Sequence, residues 1–98
     1  MGVKVILTGP ARDDLGEIVK FISRDNPDAA LRTGNALIER IENLGNFPYL
    51  GRVVPELRSE NCRELVSAPY RIIYRVSEEK KVIEVLRIWH AARGEPEI

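Results

Sequence analysis

The feature that most constrains this chain is its last third, where three strand-like runs follow one another with very short connections. The runs span Cys62–Ser67, Tyr70–Ser77 and Lys81–His90. In the middle run Tyr70, Ile72, Tyr74 and Val76 share one face, with the two-residue period of a β-strand. Only Ala68-Pro69 separates the first two runs, and a short charged turn precedes the third. Such short connections join antiparallel neighbours, so the sequence predicts a three-stranded meander.

The first half of the chain predicts one more strand and two helices. Val3–Leu7 alternates like a strand, and Pro10 is suited to the first turn of a helix that runs to about Asp25. Asn26-Pro27 is a second helix start, because an Asx cap precedes a proline at the first helical position. The apolar stripe of this second helix ends at Gly45-Asn46.

These elements predict an α+β domain of order β-α-α-β-β-β over residues 1–98. Two helices joined by a short link form an antiparallel hairpin, which buries its apolar stripes on one face of a sheet. We therefore predict a mainly antiparallel four-stranded sheet whose other face is partly open and carries arginines and a histidine. Gly34 costs about 1 kcal/mol relative to alanine inside a helix, so we interpret it as a point of close approach between the helices.

Composition restricts the function classes. No apolar run approaches the roughly 20 residues that cross a bilayer, so we expect a cytoplasmic protein without membrane contact. Cys62 is the only cysteine, and no phosphate-binding glycine loop, zinc pattern or Ser-His-Asp set is recognisable, so we expect neither a metal nor a cofactor. The 15 basic and 15 acidic residues cancel, which removes the overall positive charge that draws many proteins to RNA.

Arginine dominates the basic residues after position 50. Guanidinium groups bind carboxylates and phosphates in bidentate geometry, so these residues are candidates for contact with a target or partner. The other interpretation is a solvated face on which they pair with nearby glutamates. Trp89 either contacts a partner or packs against the chain's own tail. The predicted contact residues are Arg52, Arg58, Arg63, Arg75, Arg87, Trp89 and Arg93.

Several segments carry a resemblance to a known family. Asn26–Ala30 and Phe47–Arg52 resemble the helical half of ParE-type toxins, and four later segments occur in the order and spacing typical of the RelE/ParE superfamily. The resemblance covers nearly the whole chain and implies a toxin of a type II toxin–antitoxin pair, which a ParD-like or similar antitoxin neutralises. We expect that antitoxin to fold onto the helical hairpin around Leu31, Leu37 and Ile41. The four later segments are Val54–Arg58, Cys62–Leu65, Tyr70–Val76 and Trp89–Arg93.

Members of the superfamily differ in their target, so the site residues have to decide between targets. Some members cut mRNA on the ribosome, whereas ParE-type toxins inhibit DNA gyrase. RelE-like nucleases carry lysines on the strand where this chain has Cys62 and Glu64, and losing those cations removes charge that stabilises a developing phosphorane. The resemblance therefore implies a ParE-like toxin that inhibits DNA gyrase and arrests growth.

The alternative is a ribosome-dependent mRNA endoribonuclease. Glu56, Arg71 and His90 match a YoeB-like pattern in which a carboxylate or imidazole moves protons and a guanidinium stabilises the phosphate. Without that activity, Arg71 is a structural ion pair and His90 is a strand-end residue bonded to loop backbone. Tyr70 and Tyr74 favour packing in the sheet over base stacking.

Overall fold

The computed structural model describes residues 2–98. It contains the predicted first strand, helical hairpin and meander, together with one strand that the sequence did not predict. The elements in chain order are β1 (Lys4–Leu7), α1 (Gly9–Ser23), α2 (Pro27–Asn43), β2 (Arg52–Val53), β3 (Cys62–Ser67), β4 (Tyr70–Ser77), β5 (Val82–His90) and a short 3-10 helix (Ala91–Arg93).

The sheet has five strands in the order β1-β5-β4-β3-β2, so the prediction of four strands was wrong. The extra strand, Arg52–Val53, pairs antiparallel with β3 and lies in the segment predicted as loop. Two residues are too few to produce a periodic signal. β1 runs parallel to β5, whereas the other pairs are antiparallel, which makes the sheet mixed.

Both helices begin with the predicted proline in the first turn, and α2 has the predicted Asn26 cap, whereas the Thr8 cap of α1 was not predicted. The Thr8 side chain accepts a hydrogen bond from the Ala11 N–H, and the Asn26 side chain accepts one from the Ala29 N–H. A Cβ atom placed on Gly34 would lie 3.1 Å from Cγ2 of Val19, which confirms the predicted close approach of the helices. Within residues 2–98, neither helix is long and apolar enough to cross a membrane.

Apolar residues cover both faces of the sheet. The larger core lies between the helices and the sheet and includes Tyr74, whose ring is fully buried. A second cluster on the opposite face consists of Val54, Ile73 and Trp89. Val54 belongs to the loop after β2, so this loop covers the centre of a face that was predicted to be partly open.

A β-bulge in β5 changes which side chains share a face. Ile73 pairs with Arg87 while the next residue of β4, Tyr74, pairs with Val85, so Leu86 is an extra residue. An inserted residue moves every following side chain of the strand to the opposite face of the sheet. His90 therefore lies on the helix face, where the predicted strict alternation had placed it with the arginines of the other face.

Candidate functional site

The face opposite the helices carries four linked charged residues, Arg52, Glu56, Glu64 and Arg71, which we call the arginine–glutamate network. Glu64 lies at its centre with a side chain that is 0% exposed. One of its carboxylate oxygens accepts a hydrogen bond from Nε of Arg52 at 2.6 Å, and the other accepts one from Nε of Arg71. A buried carboxylate requires such partners, because an unpaired buried charge is costly.

All three guanidinium nitrogens of Arg71 donate hydrogen bonds within this network. Its two terminal nitrogens donate to the two carboxylate oxygens of Glu56 at 3.0 and 2.9 Å, while Nε is bonded to Glu64. Its side chain is only 13% exposed. The hydrogen bonds that Arg71 donates to Glu56, followed by the one it donates to Glu64, raise the pKa of Arg71 above its usual range. Arg71 therefore forms an ion pair of the kind that the sequence offered as its structural interpretation.

Glu56 gives the network a predictable pH dependence. The hydrogen bonds from Arg71 lower the pKa of the Glu56 carboxyl below its ordinary value. When folding lowers the pKa of a carboxyl, the ionised carboxylate stabilises the folded protein. This stabilisation is complete at pH values above the pKa of the unfolded chain and is lost as the pH falls through the pKa of the folded protein. We therefore expect wild-type protein to lose more stability than Glu56→Gln between about pH 5 and pH 3, measured by thermal unfolding. Parallel curves for the two proteins would contradict this assignment.

Most other arginines of the second half also have internal partners. Arg75 forms an ion pair with Glu84 at 2.9 Å, and Arg87 donates to both carboxylate oxygens of Asp14 at 2.7 and 2.8 Å. Arg63 donates to the backbone carbonyls of Glu60 and Gly51 and lies over the ring of Tyr49. Arg58, at a positive φ of 52°, forms no ion pair within the described residues.

Trp89 is buried rather than presented to a partner. Its side chain belongs to the second apolar cluster, and the residue is 2% exposed. The indole N–H donates to the carbonyl of Gly94 at 3.1 Å, and the guanidinium groups of Arg87 and Arg93 lie 4.9 and 4.1 Å from its ring centre. The prediction of an exposed contact is corrected, and packing against the chain's own tail is confirmed.

His90 occupies the opposite side of the sheet from the arginine–glutamate network. Its ring packs edge-on against Tyr70 with ring centres 5.4 Å apart. Its Nδ1 accepts a hydrogen bond from the backbone N–H of Ala92 at 3.1 Å, as predicted for a strand-end histidine. In the neutral ring this places the proton on Nε2. The structure therefore brings Glu56 and Arg71 together but leaves His90 on the other face.

The three residues predicted to contact the antitoxin do not share a surface. Leu37 and Ile41 are buried, because they belong to the α2 stripe that faces the sheet. Their side chains cannot reach a partner while the core is intact, which corrects that part of the prediction. Leu31 is 64% exposed, and Ile38 is exposed as well.

Two structurally important residues were not identified from the sequence. Asp14 on α1 accepts hydrogen bonds from Arg87 and from the backbone N–H of Ile88, 74 positions away in the chain. Gly51 donates its N–H to the buried Tyr74 hydroxyl at 2.9 Å. The family-like segment Phe47–Arg52 was a signal for Gly51, whereas nothing in the local pattern distinguishes Asp14 from its acidic neighbours.

Comparison with known proteins is consistent with this architecture. The family model for the ParE toxin of the type II toxin–antitoxin system parDE matches residues 5–94. A relative from Sinorhizobium fredii (strain NBRC 101917 / NGR234), named "Putative toxin Y4kP", is 36% identical over 86 residues, which span 86% of this chain and 83% of the relative.

Two solved structures share the fold. The chromosomal ParDE toxin–antitoxin system from P. aeruginosa aligns with a TM-score of 0.72 at 24% identity, covering 90% of this chain and 95% of that one. The toxin–antitoxin complex RelBE2 from Mycobacterium tuberculosis aligns with a TM-score of 0.69 at 24% identity, covering 92% and 99%. Fold and sequence together define a toxin of a type II toxin–antitoxin system. Within that class, the chain belongs to the ParE toxin family of the RelE/ParE superfamily.

Proposed function

We propose that this toxin arrests bacterial growth by inhibiting DNA gyrase through protein contacts, and that a ParD-like antitoxin in the cytoplasm neutralises it. The observation that carries the proposal is the internal pairing of its arginines. Arg52, Arg71, Arg75 and Arg87 each form an ion pair with a carboxylate of the same chain. A face neutralised in this way offers little unbalanced positive charge to an RNA backbone.

The arrangement also supports a protein target over cleavage of mRNA. Cleavage needs a group that moves protons and a cation that stabilises the phosphate within reach of the same ribose. Here Arg71 is held by two carboxylates, and His90 lies across the sheet from it. Beside Arg71, the exposed side chain of Val66 adds apolar surface, and arginine with apolar neighbours is common in protein interfaces.

Induction in bacteria tests the proposal. Expression without antitoxin is expected to arrest growth with filamentation and DNA damage, whereas antitoxin expressed in the same cells restores growth. Mapping of mRNA ends in the same cultures is the parallel measurement. Cuts at codon positions on ribosomes without DNA damage would support the endoribonuclease alternative, and normal growth with folded toxin would contradict both.

Substitution of His90 separates the two activities most cleanly. His90→Gln removes the imidazole that could transfer a proton but keeps a side-chain oxygen that can accept a hydrogen bond. We expect growth arrest to be unchanged, because the proposed gyrase contact requires no proton transfer. If the protein were a nuclease that used His90 for proton transfer, His90→Gln would lower the rate of mRNA cleavage by about 100-fold or more. Loss of toxicity together with loss of mRNA cuts in soluble His90→Gln would refute the gyrase proposal.

A further inference from the structure

The outer edge of β5 is covered by a strand along only part of its length. β1 pairs with Val82–Val85 and then ends, because the chain turns into α1. Beyond that point the Thr8 hydroxyl donates to the carbonyl of Leu86 at 3.1 Å, and the Asp14 carboxylate accepts from the N–H of Ile88 at 2.9 Å. Among the described residues, no strand lies beside the rest of the edge, up to His90.

Two backbone groups on this edge point away from the sheet. Backbone groups alternate in direction along an antiparallel strand. The N–H of Ile88 points outward to Asp14, and the N–H of Ala91 points inward to the carbonyl of Pro69, so the N–H of His90 points outward. The carbonyl of Ile88 also points outward, and neither group bonds to a described side chain.

The spacing of these two groups selects a parallel partner. One residue of a parallel strand donates its N–H to the carbonyl of Ile88 and accepts from the N–H of His90. An antiparallel strand would need two residues for the same two bonds. The remaining backbone groups of those residues would face the N–H of Ile88, which is bonded to Asp14, and the carbonyl of His90, which begins the 3-10 helix, and would stay unpaired. A strand added here would therefore continue the line and direction of β1.

A groove of about 240 Å³ lies between this edge and α1. Phe21 forms one wall and is 68% exposed, although it is a large aromatic side chain. The carboxylate of Glu17 also lines the groove and forms no ion pair within the described residues. We name this the β5-edge groove; its lining residues are Asp14, Glu17, Ile18, Phe21, Tyr70, Ile88, His90 and Arg93.

We propose that the β5-edge groove binds an extended segment of the antitoxin as a strand parallel to β5. The residue opposite Trp89 makes the two main-chain hydrogen bonds, and its flanking residues direct their side chains to the helix face. One flanking side chain is apolar and packs between Phe21 and Ile88, and a basic residue of the segment pairs with Glu17. The identity of the occupant rests on the proposed function, since it takes the chain to be neutralised by an antitoxin.

Escape from neutralisation in cells tests this site. Phe21→Arg places a charge in the groove at an exposed position, so we expect the variant to remain toxic alone and to bind antitoxin at least about 10-fold more weakly. Growth arrest should then persist at antitoxin levels that rescue the wild type. The matched control is Phe47→Arg, which changes an aromatic residue of similar exposure, 57%, in the segment after α2 and should be neutralised normally.

The outcomes separate the groove from the proposed function. Normal neutralisation of Phe21→Arg, or equal escape of both variants, would overturn the groove. A wild-type chain that is not toxic, or that its antitoxin does not rescue, would instead contradict the proposed function. If Phe21→Arg is not toxic alone, hydrogen exchange of the wild-type complex decides. The His90 amide should become protected on antitoxin binding while the Ile88 amide is slow in both states, and an unprotected His90 amide in the complex would overturn the proposal.

Discussion

Replacing Arg71 with alanine is expected to lower the free energy of unfolding by about 3–5 kcal/mol, the usual cost of removing one partner from a buried ion pair. The reason is Glu64, whose carboxylate is fully buried and loses one of its two guanidinium partners. Glu56 loses its bidentate partner as well, which loosens the loop after β2. Chemical denaturation of purified protein measures the loss.

Arg75→Ala is the matched control for this variant. Arg75 lies on the same face of β4 and also pairs with a glutamate, but its side chain is half exposed. Exposed ion pairs contribute about 0–1 kcal/mol, so the control should unfold almost like the wild type. Equal losses in the two variants would show that burial of Glu64 is not what makes Arg71 important.

Gly51→Ala should destabilise the fold by about 3 kcal/mol, near the upper end of the usual cost of overpacking. A Cβ atom at this position would come within 2.9 Å of the Tyr74 hydroxyl oxygen and still closer to the backbone carbonyl of Glu64. The backbone of β3 is held on both sides and cannot move away easily. Shifting Gly51 also breaks the hydrogen bond from its N–H to the buried Tyr74 hydroxyl.

Gly16→Ala provides the comparison for Gly51→Ala. Gly16 lies inside α1, and a Cβ atom added there would meet no described atom within 4 Å outside its own stretch of helix. Alanine is about 1 kcal/mol better than glycine in a helix interior, so this variant should be more stable than the wild type. Thermal unfolding should show a lower melting temperature for Gly51→Ala and a higher one for Gly16→Ala than for the wild type. Similar behaviour of the two variants would contradict the close packing at Gly51.

Local patterns predicted the elements that depend on local physics. Pro10 and the Asn26-Pro27 cap predict helix starts that the structure confirms. The meander follows from connections too short to allow any pairing except an antiparallel one. Gly34 was interpretable because glycine inside a helix is costly and needs a compensating contact.

Features that depend on pairing between distant segments were not predictable. The bulge at Leu86 is defined only by the register between β4 and β5, yet it decides which face His90 occupies. β2 is recognisable as a strand only because β3 lies beside it. In the candidate site, pairing of arginines with nearby glutamates was one of two interpretations of the sequence, but the partnership of Arg87 with Asp14 joins opposite ends of the chain.

The role of Glu64 also depends on contacts between distant segments and was not predictable from the sequence. In the sequence it was notable as a carboxylate at a position where related nucleases carry lysine. The structure gives it a physical role, because it is the buried carboxylate that fixes Arg52 and Arg71 on one face. Next to Glu64, its pairing partner on β4, Ile73, packs with Val54 and Trp89 in the second apolar cluster.

A DNA supercoiling assay with purified toxin and purified gyrase tests the proposed target most directly. We expect the toxin to inhibit supercoiling or to trap cleaved DNA, antitoxin to reverse the effect, and His90→Gln to act like the wild type. Unaffected gyrase, together with cuts at codon positions when the same toxin is added to translating ribosomes, would contradict the gyrase proposal.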